Sequence, residues 1–299
     1  MGTSGRVAVI GDIIRDVVAS PEGPIQHDTD TPARIDVHFG GSAANTAVWL
    51  GHLGTPVSFV GRAASDDVPA LERYFRQVGV DPLIQPDVTH PTGTIVVIVE
   101  GQSRSMLTDR GANTFLDAEG IPPEVVEGAA YLHLTGYSFF HTEHPERLLG
   151  LIDRVRAAGT RVSLDCSSIG FLTDFGVEAW WDVLAHVDIV RGNADEACFI
   201  TGSSDPLDAT RTIATRGHTA VITRAAQGAL WCEPGGDVFS LPAAPLGPGG
   251  FVDPTGAGDS FSAGFLAGLS SGRGVSQAVQ AGLELSATVV GQWGAGPKM

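Results

Sequence analysis

A nine-residue run near the C-terminal end, residues 253–261 with the sequence DPTGAGDSF, limits the possible folds more than any other part of the chain. The segment Gly256-Ala257-Gly258 contains only small residues, so its backbone N–H groups can converge without side-chain obstruction. Residues 260–269 predict a helix, and the N–H groups at a helix N-terminus favour an anion. Asp259 adds a carboxylate beside this anion site. We therefore expect a site at which a carboxylate activates a hydroxyl group that attacks a phosphoryl group.

The composition sets broad limits on the class of protein. The 299 residues suffice for one large α/β domain or two smaller ones, and 43% hydrophobic with 17% charged residues is ordinary for a soluble globular enzyme. No apolar stretch reaches about 18 residues and the start lacks a signal-peptide pattern, so we expect a cytoplasmic protein with no membrane span. The three cysteines are widely spaced and predict free thiols. The net charge of −16 argues against a nucleic-acid partner, because binding phosphates requires a basic face.

Lysine is almost absent from the chain. One of the 18 Lys and Arg residues is a lysine, Lys298, which leaves 17 arginines. A Walker P-loop, a Schiff-base enzyme and a protein kinase each need a lysine in the site. These three classes are therefore excluded, and any phosphoryl transfer by this chain must proceed without lysine.

Strands and helices alternate regularly from about residue 130, which predicts a parallel sheet covered by helices on both faces. We predict strands at 7–10, 57–60, 131–134, 161–165, 189–191, 220–223 and 229–232, and helices at 43–53, 68–78, 144–158, 194–201, 208–216, 260–269 and 275–290. Ser42 is the predicted N-cap of the first helix, and residues 20–32 predict a loop. Three predicted strands do not fit this alternation of strands and helices, at 34–39, 94–99 and 103–108. We expect them to form a small extra sheet in which the last two are joined as a hairpin.

Two further motifs lie outside the C-terminal run. Residues 40–45 read GGSAAN, and Asn193 with Glu196 forms an Asn-x-x-Glu at the start of a predicted helix. Together with the C-terminal run, these motifs resemble those of the ribokinase-like (PfkB) family of carbohydrate and nucleoside kinases, over nearly the whole chain. The resemblance implies an α/β fold, the ribokinase-like three-layer sandwich around a parallel sheet, in one domain of residues 1–299. The small sheet would be a lid built from segments near 13–39 and 93–110.

The resemblance implies roles at the acceptor end of a site. Asp259 would be the catalytic base that deprotonates a sugar hydroxyl. The backbone N–H groups of Gly256, Ala257 and Gly258 would form the anion hole for the transferred phosphoryl group. The sugar hydroxyls would be held by Asp16, Gly40, Gly41 and Asn45. A sugar is a polyol, and paired acceptors such as Asp16 and Asn45 suit its neighbouring hydroxyls.

The resemblance also implies a nucleotide site for ATP. Thr223 to Gly228 would lie beside the nucleotide, and Asn193 with Glu196 would act on its phosphates through Mg²⁺ and the waters of that ion. Mg²⁺ prefers oxygen ligands and keeps several waters, which agrees with an Asn/Glu pair. Glu196 also suits the first turn of a helix, where the dipole favours a carboxylate, and the two interpretations are compatible.

A monovalent-cation site is implied as well. Asp253 and the Thr255 carbonyl resemble half of the site, for an ion such as K⁺, that many members of the family carry. The loop Gly294-Ala295-Gly296 would supply the rest. A turn before Pro254 is an equally good explanation of Asp253 by itself.

The substrate stays open at this stage. Residues 134–137 read LTGY where ribokinases commonly carry a ribose-binding Glu, and Ala225 stands where the nucleotide loop of the family often has glycine. If that position has a positive φ, alanine costs about 1 kcal/mol there. We predict transfer to the hydroxymethyl group of a small sugar, with a nucleoside kinase or a non-catalytic sugar-binding regulator as alternatives. Arg104 and Arg110 lie on or beside the lid hairpin, where they would either face solvent or reach an acidic or hydroxyl-rich substrate. Two lids would pair in a homodimer.

Two other enzyme classes with glycine turns are excluded. A dinucleotide-binding oxidoreductase needs Gly-x-Gly-x-x-Gly after the first strand, and residues 11–14 read GDII. A hydrolase built on Gly258-Asp259-Ser260 needs a histidine further along the chain, and no histidine follows Asp259.

Overall fold

The chain forms two sheets and a set of helices around the larger one. The computed structural model describes residues 5–100 and 103–297. The strands are β1 (Val7–Ile10), β2 (Ile14–Pro21), β3 (Ala33–Gly40), β4 (Val57–Ala64), β5 (Val80–Asp87), β6 (Gly93–Glu100), β7 (Ser103–Asp109), β8 (Tyr131–Thr135), β9 (Arg161–Asp165), β10 (Ile189–Asn193), β11 (Thr219–Thr223), β12 (Ala229–Cys232) and β13 (Phe239–Leu241). The helices are α1 (Ser42–His52), α2 (Val68–Gln77), α3 (Pro123–Val126), α4 (Tyr137–Phe140), α5 (Pro145–Ala157), α6 (Ile169–Phe175), α7 (Val177–Leu184), α8 (Ala194–Thr201), α9 (Pro206–Thr215), α10 (Ala257–Ser270) and α11 (Val275–Val289).

The larger sheet has nine strands in the order β13-β12-β11-β10-β9-β8-β1-β4-β5. The pairs from β11 to β5 are parallel, and β12 and β13 join antiparallel at one end. Parallel register brings the carboxyl ends of β1, β8, β9 and β10 to one edge. In open α/β sheets ligands bind outside that edge.

Helices cover both faces of this sheet. In β1, Val7 and Val9 pack with α1, α2, α10 and α11, whereas Ala8 and Ile10 pack with α5, α7, α8 and α9. All four residues of β1 are completely buried. This alternation explains why the parallel strands are almost wholly apolar. The three-layer α/β architecture predicted from the sequence is confirmed.

The smaller sheet has the order β3-β2-β6-β7. The predicted strands 34–39, 94–99 and 103–108 are all in it, and the residues predicted to join the hairpin lie partly outside the described residues. The prediction missed β2, whose sequence IRDVVASP ends inside the predicted loop. It also missed β5, whose two prolines argue against a strand. Because β5 is at the edge of the larger sheet, one side of it needs no ladder partner and the prolines are tolerated.

The other elements that the sequence did not predict are short. They are the strand β13, the helices α3 and α4, and the helices α6 and α7 between β9 and β10. The helices α6 and α7 are each at most eight residues long, too short for a clear helical period. Within residues 5–100 and 103–297, no helix is long and apolar enough to cross a bilayer.

The small sheet has an apolar outer face. Val17 pairs with Val37 and Val96, and Val96 pairs with Leu107, so four apolar residues form one row across the sheet. The residues at both ends of this row are open to solvent, Val37 at 60% and Leu107 at 62% of their surface. The alternate residues of the same strands, including Val18, Val97 and Met106, line the cleft described below. An apolar row of this kind is typical of a surface that a partner covers.

We predict that two copies of the chain pair through this outer face. Val37→Glu places a charge in the row and should shift a dimer to a monomer of 31.0 kDa in light scattering. Val88→Glu is the matched control, because Val88 is 93% exposed and lies outside the small sheet. A wild-type monomer at all micromolar concentrations, or a Val37→Glu variant that stays dimeric, would contradict the prediction.

Candidate active site

A cleft of about 1430 Å³ lies between the inner face of the small sheet and the carboxyl edge of the larger sheet. Nearly all the site residues predicted from the sequence line it: Asp16, Gly41, Asn45, Asn193, Glu196, Thr223, Gly228, Asp253, Thr255, Ala257, Gly258 and Asp259. Gly40 and Gly256 are their immediate neighbours in the chain. The structure thus brings together residues from the two ends and the middle of the sequence.

The start of α10 forms one wall of the cleft. Gly256 is the N-cap of this helix with φ of 77°, a left-handed conformation that favours glycine. A Cβ there would also lie 2.7 Å from the Cα of Ala295. The N–H of Ala257 donates to the carbonyl of Pro254 at 3.1 Å. The N–H groups of Gly258 and Asp259 have no acceptor within the described part of the chain, so they are the donors open to an anion.

Asp259 is held by helix α1 across the cleft. The Ser42 hydroxyl donates to Oδ1 of Asp259 at 2.7 Å, and the Asn45 amide donates to Oδ2 at 2.9 Å. Burial raises the pKa of Asp259 to about 7, although the two hydrogen bonds act in the opposite direction; the charges of Asp165 and Asp12 raise it further. A carboxylate with a pKa near neutrality is suited to accept and release a proton.

The N-terminus of α1 differs from the prediction. Gly41, not Ser42, is the N-cap, and no side chain caps the helix from that position. Instead the Asp12 carboxylate accepts the N–H groups of Ser42 at 3.2 Å and Ala43 at 3.0 Å. Gly41 has φ of 103°, and a Cβ there would lie 2.6 Å from the Asp12 carbonyl oxygen. Because Asp12 supplies the cap, the Ser42 hydroxyl is available to Asp259.

Asp16 enters the cleft from the inner face of the small sheet. It lies on β2 opposite His38, whose Nε2 is 3.8 Å from its carboxylate. Burial raises the pKa of Asp16 to about 6. The nearby His38 lowers this pKa, and the charge of Asp12 raises it. A Cβ on Gly40 would collide with the Asp16 carboxylate, so glycine keeps the space around that carboxylate.

An aromatic wall lies near Asp12. The Arg110 guanidinium stacks 4.2 Å from the ring centre of Tyr137 and 5.3 Å from that of Phe171, and it lies 3.6 Å from Asp12. These residues line the cleft. Arg110 therefore lies where a substrate in the cleft could contact it. The side chain of Arg104 lies outside the described residues.

A buried arginine supports the anion site from behind. Arg191 on β10 pairs with the Asp165 carboxylate and donates to the Gly258 carbonyl at 2.9 Å. Ser262 also donates to Asp165, at 3.3 Å. Asp12, Asp165 and Arg191 were not among the site residues predicted from the sequence. Each is a charged residue at or just after the end of a predicted parallel strand, and that position is the signal that could have identified them.

Asn193 and Glu196 form a complete capping box at the start of α8. The Asn193 side chain accepts the N–H of Glu196, and the Glu196 carboxylate accepts the N–H of Asn193, both at 2.9 Å. Burial and the nearby Asp165 raise the pKa of Glu196 to about 7. The neighbouring carboxylates of Glu196 and Asp165 concentrate negative charge, which a cation would neutralise. Among residues 5–100 and 103–297, no group of three or more His, Cys, Asp or Glu side chains is arranged to hold a metal.

The loop of residues 223–228, which is predicted to lie beside the nucleotide, has the strain that the sequence suggested. Ala225 has φ of 47°, in the left-handed region where alanine costs about 1 kcal/mol. Gly228 has φ of 85°. Thr223 donates its hydroxyl to the Gly192 carbonyl at 3.3 Å, which ties the end of β11 to β10.

Asp253 joins the two loops of the predicted monovalent-cation site. Its Oδ1 accepts the Thr255 N–H at 2.9 Å and the Thr255 hydroxyl at 2.6 Å, and its Oδ2 accepts the Gly294 N–H at 3.2 Å. The carboxylate is buried. These bonds bring the 253–255 and 294–296 loops together, as a cation site there requires.

The chain is similar to known proteins over nearly its whole length. The family model for pfkB family carbohydrate kinases matches residues 4–299. The chain is 30% identical over 298 residues to cytidine kinase from Thermococcus kodakarensis, covering 96% of this chain and 97% of that protein. It is 26% identical over 285 residues to fructokinase from Klebsiella pneumoniae, covering 90% and 85% of the two chains.

A solved structure extends the likeness to the fold. The crystal structure of aminoimidazole riboside kinase from Salmonella enterica, complexed with aminoimidazole riboside and an ATP analogue, matches with a TM-score of 0.78 and 28% identity. The match covers 97% of this chain and 95% of that one. With its fold, its cleft and its near-complete match to the family model, the chain belongs to the PfkB family of carbohydrate kinases.

Proposed function

We propose that this protein is an ATP-dependent kinase that phosphorylates the hydroxymethyl group of a small sugar or of the sugar ring of a nucleoside. One observation carries the proposal: the Asp259 carboxylate lies in the first turn of α10, next to N–H groups that have no acceptor within the described residues. A base and an anion site one residue apart are the two components that phosphoryl transfer to a hydroxyl needs.

In this proposal, Asp259 takes the proton of the acceptor hydroxyl. The oxygen forms a bond to the γ-phosphorus of ATP, and ADP leaves with the electrons of the broken bond. The N–H groups of Gly258 and Asp259, which have no acceptor within the described residues, face the charge that develops on the phosphoryl oxygens. Those of Gly256 and Ala257 complete the anion hole, and the Ala257 N–H must first release the Pro254 carbonyl. Arg191 holds this turn against the sheet through its hydrogen bond to the Gly258 carbonyl.

The acceptor end of the cleft offers groups for hydroxyls. Asp16 supplies carboxylate oxygens, and Asn45 keeps its amide oxygen and one N–H available while it donates to Asp259. Gly40 and Gly41 let the backbone approach a ligand closely. The small sheet would close over the ligand as a lid and exclude water.

A nucleoside is favoured over a free sugar by the lining of the cleft. Ile95, Val97 and Met106 face it from the small sheet, and Phe171 faces it from the main body. A free sugar presents hydroxyls in most directions, whereas a nucleobase presents flat apolar faces that such side chains can cover. The names of the cytidine kinase and the aminoimidazole riboside kinase described above indicate substrates that carry a base ring in addition to the sugar.

The residues fit Mg²⁺ and K⁺. Glu196, with Asp165 close by, would hold Mg²⁺ through waters next to the phosphates, together with Asn193. Bound there, Mg²⁺ would neutralise phosphate charge. Asp253 and Thr255 would hold K⁺ behind the anion site and keep its loop in place.

The direct test is an ATP-consumption screen over ribose, fructose-type sugars, 2-keto-3-deoxygluconate and nucleosides. We expect phosphorylation of a nucleoside or a small sugar, with nucleosides preferred. A protein that binds such ligands and transfers no phosphate in a single turnover would instead be the non-catalytic regulator.

Asp259→Asn should lower the rate of phosphoryl transfer by ~10²–10⁴, because the amide keeps the shape of the side chain and cannot accept the proton. Thermal unfolding and ATP binding should stay close to the wild type. A kcat near the wild-type value with any accepted substrate would overturn the assignment of Asp259.

The pH dependence of the wild type follows from the same carboxylate. Its pKa is raised to about 7, so below that pH Asp259 is protonated and cannot act as a base. We expect kcat/KM to rise with pH through about 7 and this acidic limb to disappear in Asp259→Asn. A limb near the ordinary pKa of a carboxyl, about 4, would be inconsistent with this environment.

Glu196→Gln should raise the Mg²⁺ concentration for half-maximal rate more than it raises the KM of the acceptor. Glutamine still accepts the N–H of Asn193, so the capping box is kept while the charge is lost. Asp195→Asn is the matched control, since it removes an exposed carboxylate from the same turn. Full activity in excess EDTA would exclude the metal, and a flat response to K⁺ at saturating Mg²⁺ would exclude only the monovalent-cation site.

A further inference from the structure

Ser42 lines the cleft within the 40–45 segment, and the proposed chemistry gives it no role. Its hydroxyl donates to Oδ1 of Asp259 at 2.7 Å, the hydrogen bond that an acceptor hydroxyl must make with the base before it reacts. The side chain of serine is itself a hydroxymethyl group. Ser42 therefore presents to Asp259 the same chemical group as the proposed substrate.

The backbone around Ser42 fixes this hydroxyl in place. The Asp12 carboxylate accepts the N–H groups of Ser42 and Ala43, at 3.2 Å and 3.0 Å. The Thr46 hydroxyl bridges the carbonyl of Ser42, at 3.0 Å, and that of Asp259, at 3.3 Å. These contacts hold the first turn of α1 against the first turn of α10, so the Ser42–Asp259 bond is part of an ordered network.

Both oxygens of the base are occupied before any substrate arrives. Ser42 donates to Oδ1 and Asn45 donates to Oδ2. The cleft is open and large enough to hold many water molecules. A water that took the place of Ser42 on Oδ1 would be hydrogen-bonded to a base beside the anion site, which is the arrangement required for hydrolysis of ATP.

We propose that Ser42 is a positioning residue that keeps water off Asp259 when the acceptor is absent, and so suppresses hydrolysis of ATP by the free enzyme. This inference rests on the proposed kinase function. The acceptor hydroxyl replaces the Ser42 hydroxyl on Oδ1 when it binds. Water alone replaces it poorly, because the serine is covalently held at the site and water gains nothing else from binding there.

The reaction that Ser42 suppresses is balanced without a further reactant. The oxygen of a water molecule forms a bond to the γ-phosphorus, the bond from that phosphorus to the oxygen of ADP breaks, and Asp259 takes a proton from the water. The products are ADP and inorganic phosphate, and Asp259 then returns its proton to solvent.

The test measures phosphate release from ATP and Mg²⁺ without an acceptor. Ser42→Ala leaves space for a water on Oδ1 and should raise the hydrolysis rate about tenfold, which is less than the ~10²–10⁴ that a fully positioned base supplies. Ser42→Thr restores a hydroxyl and should bring the rate back toward the wild type. Ser271→Ala is the matched control, because it removes a serine hydroxyl at the far end of α10, bonded to the Gly268 carbonyl.

Two further measurements separate this role from a structural one. In Ser42→Ala the acidic limb of the pH profile should move upward by about one unit, since a charge-assisted hydrogen bond that favours the ionised carboxylate is lost. The double variant Ser42→Ala, Asp259→Asn should lose the added hydrolysis. If Ser42→Ala does not fold, Ser42→Gly gives the same comparison, because it also removes the hydroxyl and leaves space for a water on Oδ1.

The outcomes distinguish the two proposals. A Ser42→Ala enzyme that phosphorylates its acceptor and hydrolyses ATP no faster than the wild type overturns the role of Ser42 and leaves the kinase function intact. Added hydrolysis that persists in the double variant also overturns it, because the water would not be using Asp259. A wild type that phosphorylates no sugar or nucleoside overturns both proposals.

Discussion

The contact between the first turns of α1 and α10 is the interaction on which the site depends. It joins Asp259 to Ser42, which is 217 positions earlier in the sequence, and to Asn45, which is 214 positions earlier. Further along the same helix, Trp49 donates its indole N–H to the Ala295 carbonyl at 2.7 Å. The proposed base on α10 and the proposed sugar ligand Asn45 on α1 are therefore held together by one helix–helix contact. A shift of α1 would change the hydrogen bonds to Asp259 and the position of Asn45 together.

Buried charge imposes a second constraint. Arg191 and Asp165 are each about 5% exposed, and they neutralise one another at the carboxyl edge of the sheet. Removal of either would leave the other buried without its partner, which costs about 3–5 kcal/mol. The same arginine holds the Gly258 carbonyl, so the stability of the sheet edge and the orientation of the anion site are coupled through one side chain.

Much of the fold could be predicted from local patterns. The strands and helices predicted from residue 130 onward are all present in the structure, because burial on two faces demands continuous apolar runs in the strands. The strands β2 and β5 could not be recognised. The first has most of its residues only half-buried, and the second keeps its prolines at a sheet edge, so neither has the alternation or apolar run that marks a strand.

The sequence by itself determined the class of chemistry. Glycine and small residues before Asp259 predict a helix N-terminus suited to an anion, and the near absence of lysine excludes the common alternatives. Only the tertiary structure decided the partners of Asp259. Ser42 has the sequence of an N-cap, yet Asp12 caps that helix and leaves the serine hydroxyl to the base. Local sequence cannot reveal this exchange, because it depends on which distant groups the fold brings within hydrogen-bond distance.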